Sequence, residues 1–140
     1  MPGAVLRVSG EQFDPDGVLP LLSLRPYLVW RKGEPLADVG PRSKRLHESG
    51  GFCCDVSKSD GLLSAECTDA LIFLTEHRDD LVRLRDHPDV EDMRIDFGYH
   101  SRIDGDRVVV QCDYLQPELL RLAGELRIGF ELSLYPGPKR

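Results

Sequence analysis

Around residue 95 the chain alternates strictly. Met93, Ile95, Phe97 and Tyr99 are apolar, while Arg94, Asp96, Gly98 and His100 between them are polar or small. A period of two sends alternate side chains to opposite faces, so this stretch predicts a strand with one buried and one wet face. The same alternation returns near the end, where Ile128, Phe130, Leu132 and Leu134 are separated by Gly129, Glu131 and Ser133. Four shorter runs, 4–9, 27–32, 51–57 and 108–110, read as further strands.

Helical spacing shows elsewhere. Ala70, Leu74, His77, Leu81 and Leu84 recur every three or four residues, which makes one stripe and predicts a long helix over 66–86. His87-Pro88 ends it, because the residue before a proline is pushed out of helical geometry. Asp14-Pro15-Asp16 supplies a cap, a proline suited to the first helical position and a favourable acid. Pro20 then limits that helix to a short or kinked element. A third helix is expected over 117–124, after Pro117.

The two ends of the chain echo each other. Val8, Phe13, Pro15, Asp16, Val18, Leu24, Arg25 and Leu28 recur without a gap as Val110, Leu115, Pro117, Glu118, Leu120, Leu126, Arg127 and Phe130. Each copy reads as strand, proline-started helix, strand, and such a unit needs a shared sheet to bury its apolar side. The expected fold is therefore α+β. A single six-stranded mixed sheet carries three helices mainly on one face, with two pseudo-symmetric βαβ units of ferredoxin-like character. The domain spans 1–135 and leaves a frayed tail at 136–140. Arg7, Arg94, Asp96, His100 and Glu131 fall on the opposite, polar face.

Composition narrows the function classes. With 140 residues and a net charge of -6, the chain is short enough for one domain and too acidic overall to favour nucleic acid or an anionic membrane. No apolar run approaches the ~20 residues of a membrane span. The opening residues lack a basic segment followed by a long apolar one, and a cytoplasmic location is expected. The four cysteines, Cys53, Cys54, Cys67 and Cys112, form no C-x-x-C pair and are expected to be reduced and structural. No cofactor and no metal site is expected, since Asp104-Gly105-Asp106 reads as a hairpin turn and lacks a calcium loop's distal ligands.

Three groups of residues carry candidate chemistry. Trp30, Arg31, Lys32 and Glu34 join the only tryptophan to three charges at a strand end. A half-exposed Trp30 would make this an interaction hot spot; a core Trp30 would leave Arg31 and Glu34 to tie down the loop. Arg94, Asp96 and His100 share one strand face, where an ion-pair lattice is the simplest reading. Arg42, Lys44 and Arg45 form a basic cluster in the long polar stretch 33–50, read as a solvated loop in preference to a nucleic-acid site. His77, on the apolar stripe, is expected to be a core or domain-edge histidine with a satisfied nitrogen.

Gly10…Phe13-Asp14-Pro15…Leu21-Leu22…Leu24-Arg25-Pro26, then Trp30-Arg31-Lys32-Gly33-Glu34-Pro35 and Ser49-Gly50-Gly51-Phe52, resemble the bacterial family of domains of unknown function numbered 4279. The family pattern implies an aromatic residue and a serine-rich strand end near the third strand, where this chain has Cys53-Cys54-Asp55-Val56-Ser57. The resemblance implies a domain class and no activity.

The leading expectation is a non-catalytic protein-binding module, of which an immunity-type inhibitor is one form. The alternative is a small-molecule binder or enzyme with a pocket between the 33–50 loop and the polar sheet face, using Arg31, Asp96 and His100. Homodimerisation through an edge strand is a further expectation, with the third strand as one candidate edge.

Overall fold

The computed structural model describes residues 2–36 and 45–137. Five strands form one sheet: β1 (Gly3–Gly10), β2 (Leu28–Trp30), β3 (Gly50–Ser57), β4 (Asp92–His100) and β5 (Gly129–Tyr135), in the order β2-β3-β1-β4-β5. All neighbours are antiparallel except β4 and β5, which are parallel. The helices are α1 (Leu63–Glu76), α2 (Arg78–Arg85) and α3 (Pro117–Glu125), with two 3-10 turns at Pro15–Gly17 and Leu19–Leu21.

Alternation decides which side is covered. Ala4, Leu6 and Val8 of β1, Phe52 and Cys54 of β3, and Ile95, Phe97 and Tyr99 of β4 form one buried layer. Leu63, Cys67, Ala70 and Leu74 of α1, Leu81 and Leu84 of α2, and Leu119, Leu122 and Ala123 of α3 close over it. The other sheet face carries Arg7, Arg94, Asp96 and Glu131 in facing register, as the strand period predicts.

Four expectations need correction: the sixth strand, the unbroken long helix, the pseudo-symmetry and the third strand as an edge. The sheet has five strands, because 108–110 stays irregular and Val109 and Val110 are each 68% exposed. Asp104 does make the predicted turn: its Oδ1 accepts the amides of Asp106, Arg107 and Val108. The arms that leave this turn find no place in the sheet.

The long helix breaks at His77, which leaves helical geometry at φ -104° and ψ 19°. That break aims the first turn of α2 at the loop after the 3-10 turns, where Asp80 accepts from the Ser23 amide at 2.8 Å and hydroxyl at 2.6 Å. The expected first helix is the pair of 3-10 turns, capped by Asp14 as predicted.

The end-to-end echo is therefore only partly structural. Pro15 and Pro117 each start a helical turn, and Leu28 and Phe130 each lie in a strand. Val8 lies in a central strand, whereas Val110 lies in none. β4, α3 and β5 make a βαβ unit of adjacent parallel strands; β1 and β2 are separated by β3. The ferredoxin-like pseudo-symmetry does not hold, and β3 is an inner strand that cannot serve as an edge.

Candidate functional site

Trp30 ends β2 opposite Gly51, and that pairing sets its environment. The ring lies so close over Gly51 that a Cβ there would stand 2.3 Å from Cζ2. Only glycine leaves room for the indole to lie flat on the sheet. Arg7 covers it from β1, its guanidinium carbon 5.1 Å from the ring centroid. His47 covers it from the loop, with ring centroids 6.2 Å apart and planes 29° from parallel. Trp30 is consequently only 7% exposed, so the half-exposed hot spot is corrected: the indole is buried, although on the polar side of the sheet.

The loop above Trp30 is held by backbone pairing. Gly33 and His47, His47 and Glu34, and Leu36 and Arg45 exchange amide-to-carbonyl hydrogen bonds of 2.8–3.1 Å, and Pro35 bridges Leu46. Gly33 turns the chain at φ 87°, a left-handed value natural to glycine. Arg31 donates to Asp16 at 2.5 and 2.8 Å and to Glu34 at 3.4 Å. The Arg31 guanidinium holds the Asp16 carboxyl below its usual range. Arg31 and Glu34 thus tie down the loop base. Arg42 and Lys44 lie outside the described residues.

Between this loop and the sheet runs a groove of about 720 Å³, lined among others by Arg7, Leu28, Trp30, Arg45, His47 and Cys53. Burial pushes the Cys53 thiol up, which keeps it protonated and unreactive. A wider, more open depression of about 980 Å³ lies on the other side of residues 46–49 and takes in Lys32, Glu11 and Glu91. Its polar, open lining makes it the weaker site despite its size.

The strand candidates do not join either hollow. Arg94 donates to Asp92 at 2.7 Å and to Glu131 at 2.9 Å, as an exposed ion-pair lattice. Asp96 accepts from the Ser133 hydroxyl at 2.6 Å, and burial followed by repulsion from Glu131 raises its carboxyl. His100 lies at the far end of the sheet, its Nδ1 3.0 Å from the Pro136 carbonyl, beside a separate hollow of about 730 Å³ that also takes in Tyr27, Asp55 and Asp60. Arg31, Asp96 and His100 therefore diverge. His77 packs on Phe73 at 4.6 Å and meets the Ser23 hydroxyl at 3.4 Å, at the domain edge.

Glu66 was not singled out by the sequence. It sits on α1 at 0% exposure, and neither carboxylate oxygen has a hydrogen-bond partner. Burial pushes its carboxyl up to about 7, and repulsion from Asp96 and Asp69 adds to the rise. Its position, four residues before the stripe residue Ala70, was the available signal.

The fold is thus a mixed α+β domain, with one five-stranded sheet packed on helices by one face and a groove on the other. The chain is a member of the DUF4279 family of domains of unknown function, whose pattern matches residues 2–137. No curated protein and no solved structure matches it. No helix among the described residues is long and apolar enough to cross a membrane.

Proposed function

We propose that this chain is a non-catalytic binding module that takes a small anionic ligand in the groove over Trp30. The placement of its single tryptophan carries the reading: a flat aromatic floor with Arg7 across it, on the face of the sheet that no helix among the described residues covers. The groove volume falls in the range of about 300–1,000 Å³ that small-molecule sites occupy. In a chain of net charge -6, its lining among the described residues sets the Arg7 guanidinium and the His47 ring over Trp30, with Glu48 as the one acid there, which favours a carboxylate or phosphate on the ligand.

The second reading is a protein partner docked on the same face, as an immunity-type inhibitor would use it. Leu28, 48% exposed in the groove lining, and its sequence neighbour Tyr27, 57% exposed in the separate hollow, favour it.

Because Trp30 is the only tryptophan, its fluorescence reports groove occupancy directly. Titration with a panel of small carboxylates and phosphates should give a saturable emission change that Arg7→Gln removes without altering circular dichroism. A flat response across the panel, with loss of a native partner on Tyr27→Ala plus Leu28→Ala, would transfer the assignment to protein binding.

A further inference from the structure

The sheet has two ends, and they differ in length. β2 offers three residues at one edge, whereas β5 offers seven, Gly129–Tyr135, at the other. No strand among the described residues pairs with the outer edge of β5. β5 also lacks the devices that blunt an edge: it has no proline, no lysine and no bulge in its register with β4. On its helix-side face Leu132 and Leu134 are 50% and 55% exposed.

We propose that a second copy of this chain pairs with β5, antiparallel and about a two-fold axis through Leu132, to give one ten-stranded sheet. Symmetry constrains the register tightly. A two-fold axis normal to the sheet keeps both sets of helices on one side, so residues of like face must oppose each other. Centring on Leu132 pairs all seven residues: Leu132 with Leu132, Phe130 with Leu134, Glu131 with Ser133, and Gly129 with Tyr135. The apolar side chains then cover one another, and an aromatic ring lies over a glycine.

Charge selects the same register. Glu131 is the only ionisable carboxylate of β5, and here it faces a neutral Ser133 while Arg94 already compensates it at 2.9 Å. Shifting the axis to Glu131 would set two carboxylates directly opposite each other, which is unfavourable. Shifting it to Ser133 would leave Gly129 and Phe130 without strand partners. The valines at 108–110 are a competing occupant of the same edge, within one chain or between two, and the test separates them.

The 140-residue chain should sediment at twice its 15.8 kDa monomer mass at about 100 μM. Leu132→Lys, at a half-exposed position, should sediment as a monomer with unchanged circular dichroism. In a Cys112→Ser background, which removes the exposed thiol, Leu132→Cys should form an intermolecular disulfide under mild oxidation. Leu134→Cys should not, because its copy lies four residues away along the partner strand. A monomeric wild type, a dimer that survives Leu132→Lys, or cross-linking at 134 in place of 132 would each overturn the proposal.

Discussion

Leu6 and Arg7 are neighbours on the central strand, yet they live in different solvents. Leu6 is fully buried beneath the helices, while Arg7 is exposed on the open face and lies across Trp30. Every inner strand repeats the division: Ile95 beside Arg94, and Cys54 beside Asp55. On one side the side chains hold the sheet to its helices. On the other they pair with one another and line the groove. A single sheet thus separates the residues that hold the helices from those that face the groove.

Paired substitutions break or sharpen that contrast. The largest effect is expected at Leu6→Ala, which should cost about 3 kcal/mol of unfolding free energy in urea titration through lost burial and a cavity. Arg7→Ala, one residue away, should stay within about 1 kcal/mol, since it removes a cation–π contact at an exposed site. Equal costs would erase the division between the faces.

Glu66 is the exception on the covered side, and pH exposes it. Its folded carboxyl titrates near 7, above the ordinary value of 4.5, so between those values the folded state binds more protons than the unfolded state. Stability from this group is complete below about pH 4.5 and is lost as pH rises through 7. Glu66→Gln should therefore raise stability by about 2 kcal/mol at pH 8, and by little at pH 4, in denaturant titrations at both. An increase of equal size at both values would mean the carboxyl is solvated when folded.

A last substitution probes the seat of Trp30 itself. Gly51→Ala puts a methyl 2.3 Å from the Trp30 ring and 2.5 Å from the Val8 carbonyl. It should cost about 1–3 kcal/mol and shift Trp30 emission to the red as the indole leaves its seat. Unchanged emission would mean that Trp30 does not rest on Gly51.

Five of the six expected strands form, with β1, β2 and β3 within two residues of their expected limits. β4 and β5 lie within a residue or two of their expected limits, and the polar face carries Arg7, Arg94, Asp96 and Glu131 as read. Val108 to Val110 have the side chains of a strand, but strand propensity is completed only by a neighbour with free hydrogen-bonding groups. The break at His77 escaped notice because spacings of three and four continue through it, while the backbone yields to the Ser23–Asp80 contact.

The site was legible in part. Arg31 and Glu34 tie the loop as one of the two readings of that segment required, and a groove lies between residues 45–49 and the polar face, although Arg31, Asp96 and His100 do not line it. Its floor was not foreseen. Arg7, Gly51 and Cys53 are far from Trp30 or unremarkable in sequence, and strand pairing alone brings them beside it.

By itself the amino-acid order settled what is local: which residues alternate, where prolines and caps start helices, and which side of each strand prefers water. These follow from side-chain chemistry and short-range geometry. Tertiary structure decided which strands are neighbours, that the valine run stays outside the sheet, and that Trp30 lies beneath Arg7 and His47. Such choices depend on contacts between distant residues, where many pairings satisfy the same local pattern and only the packed whole selects one.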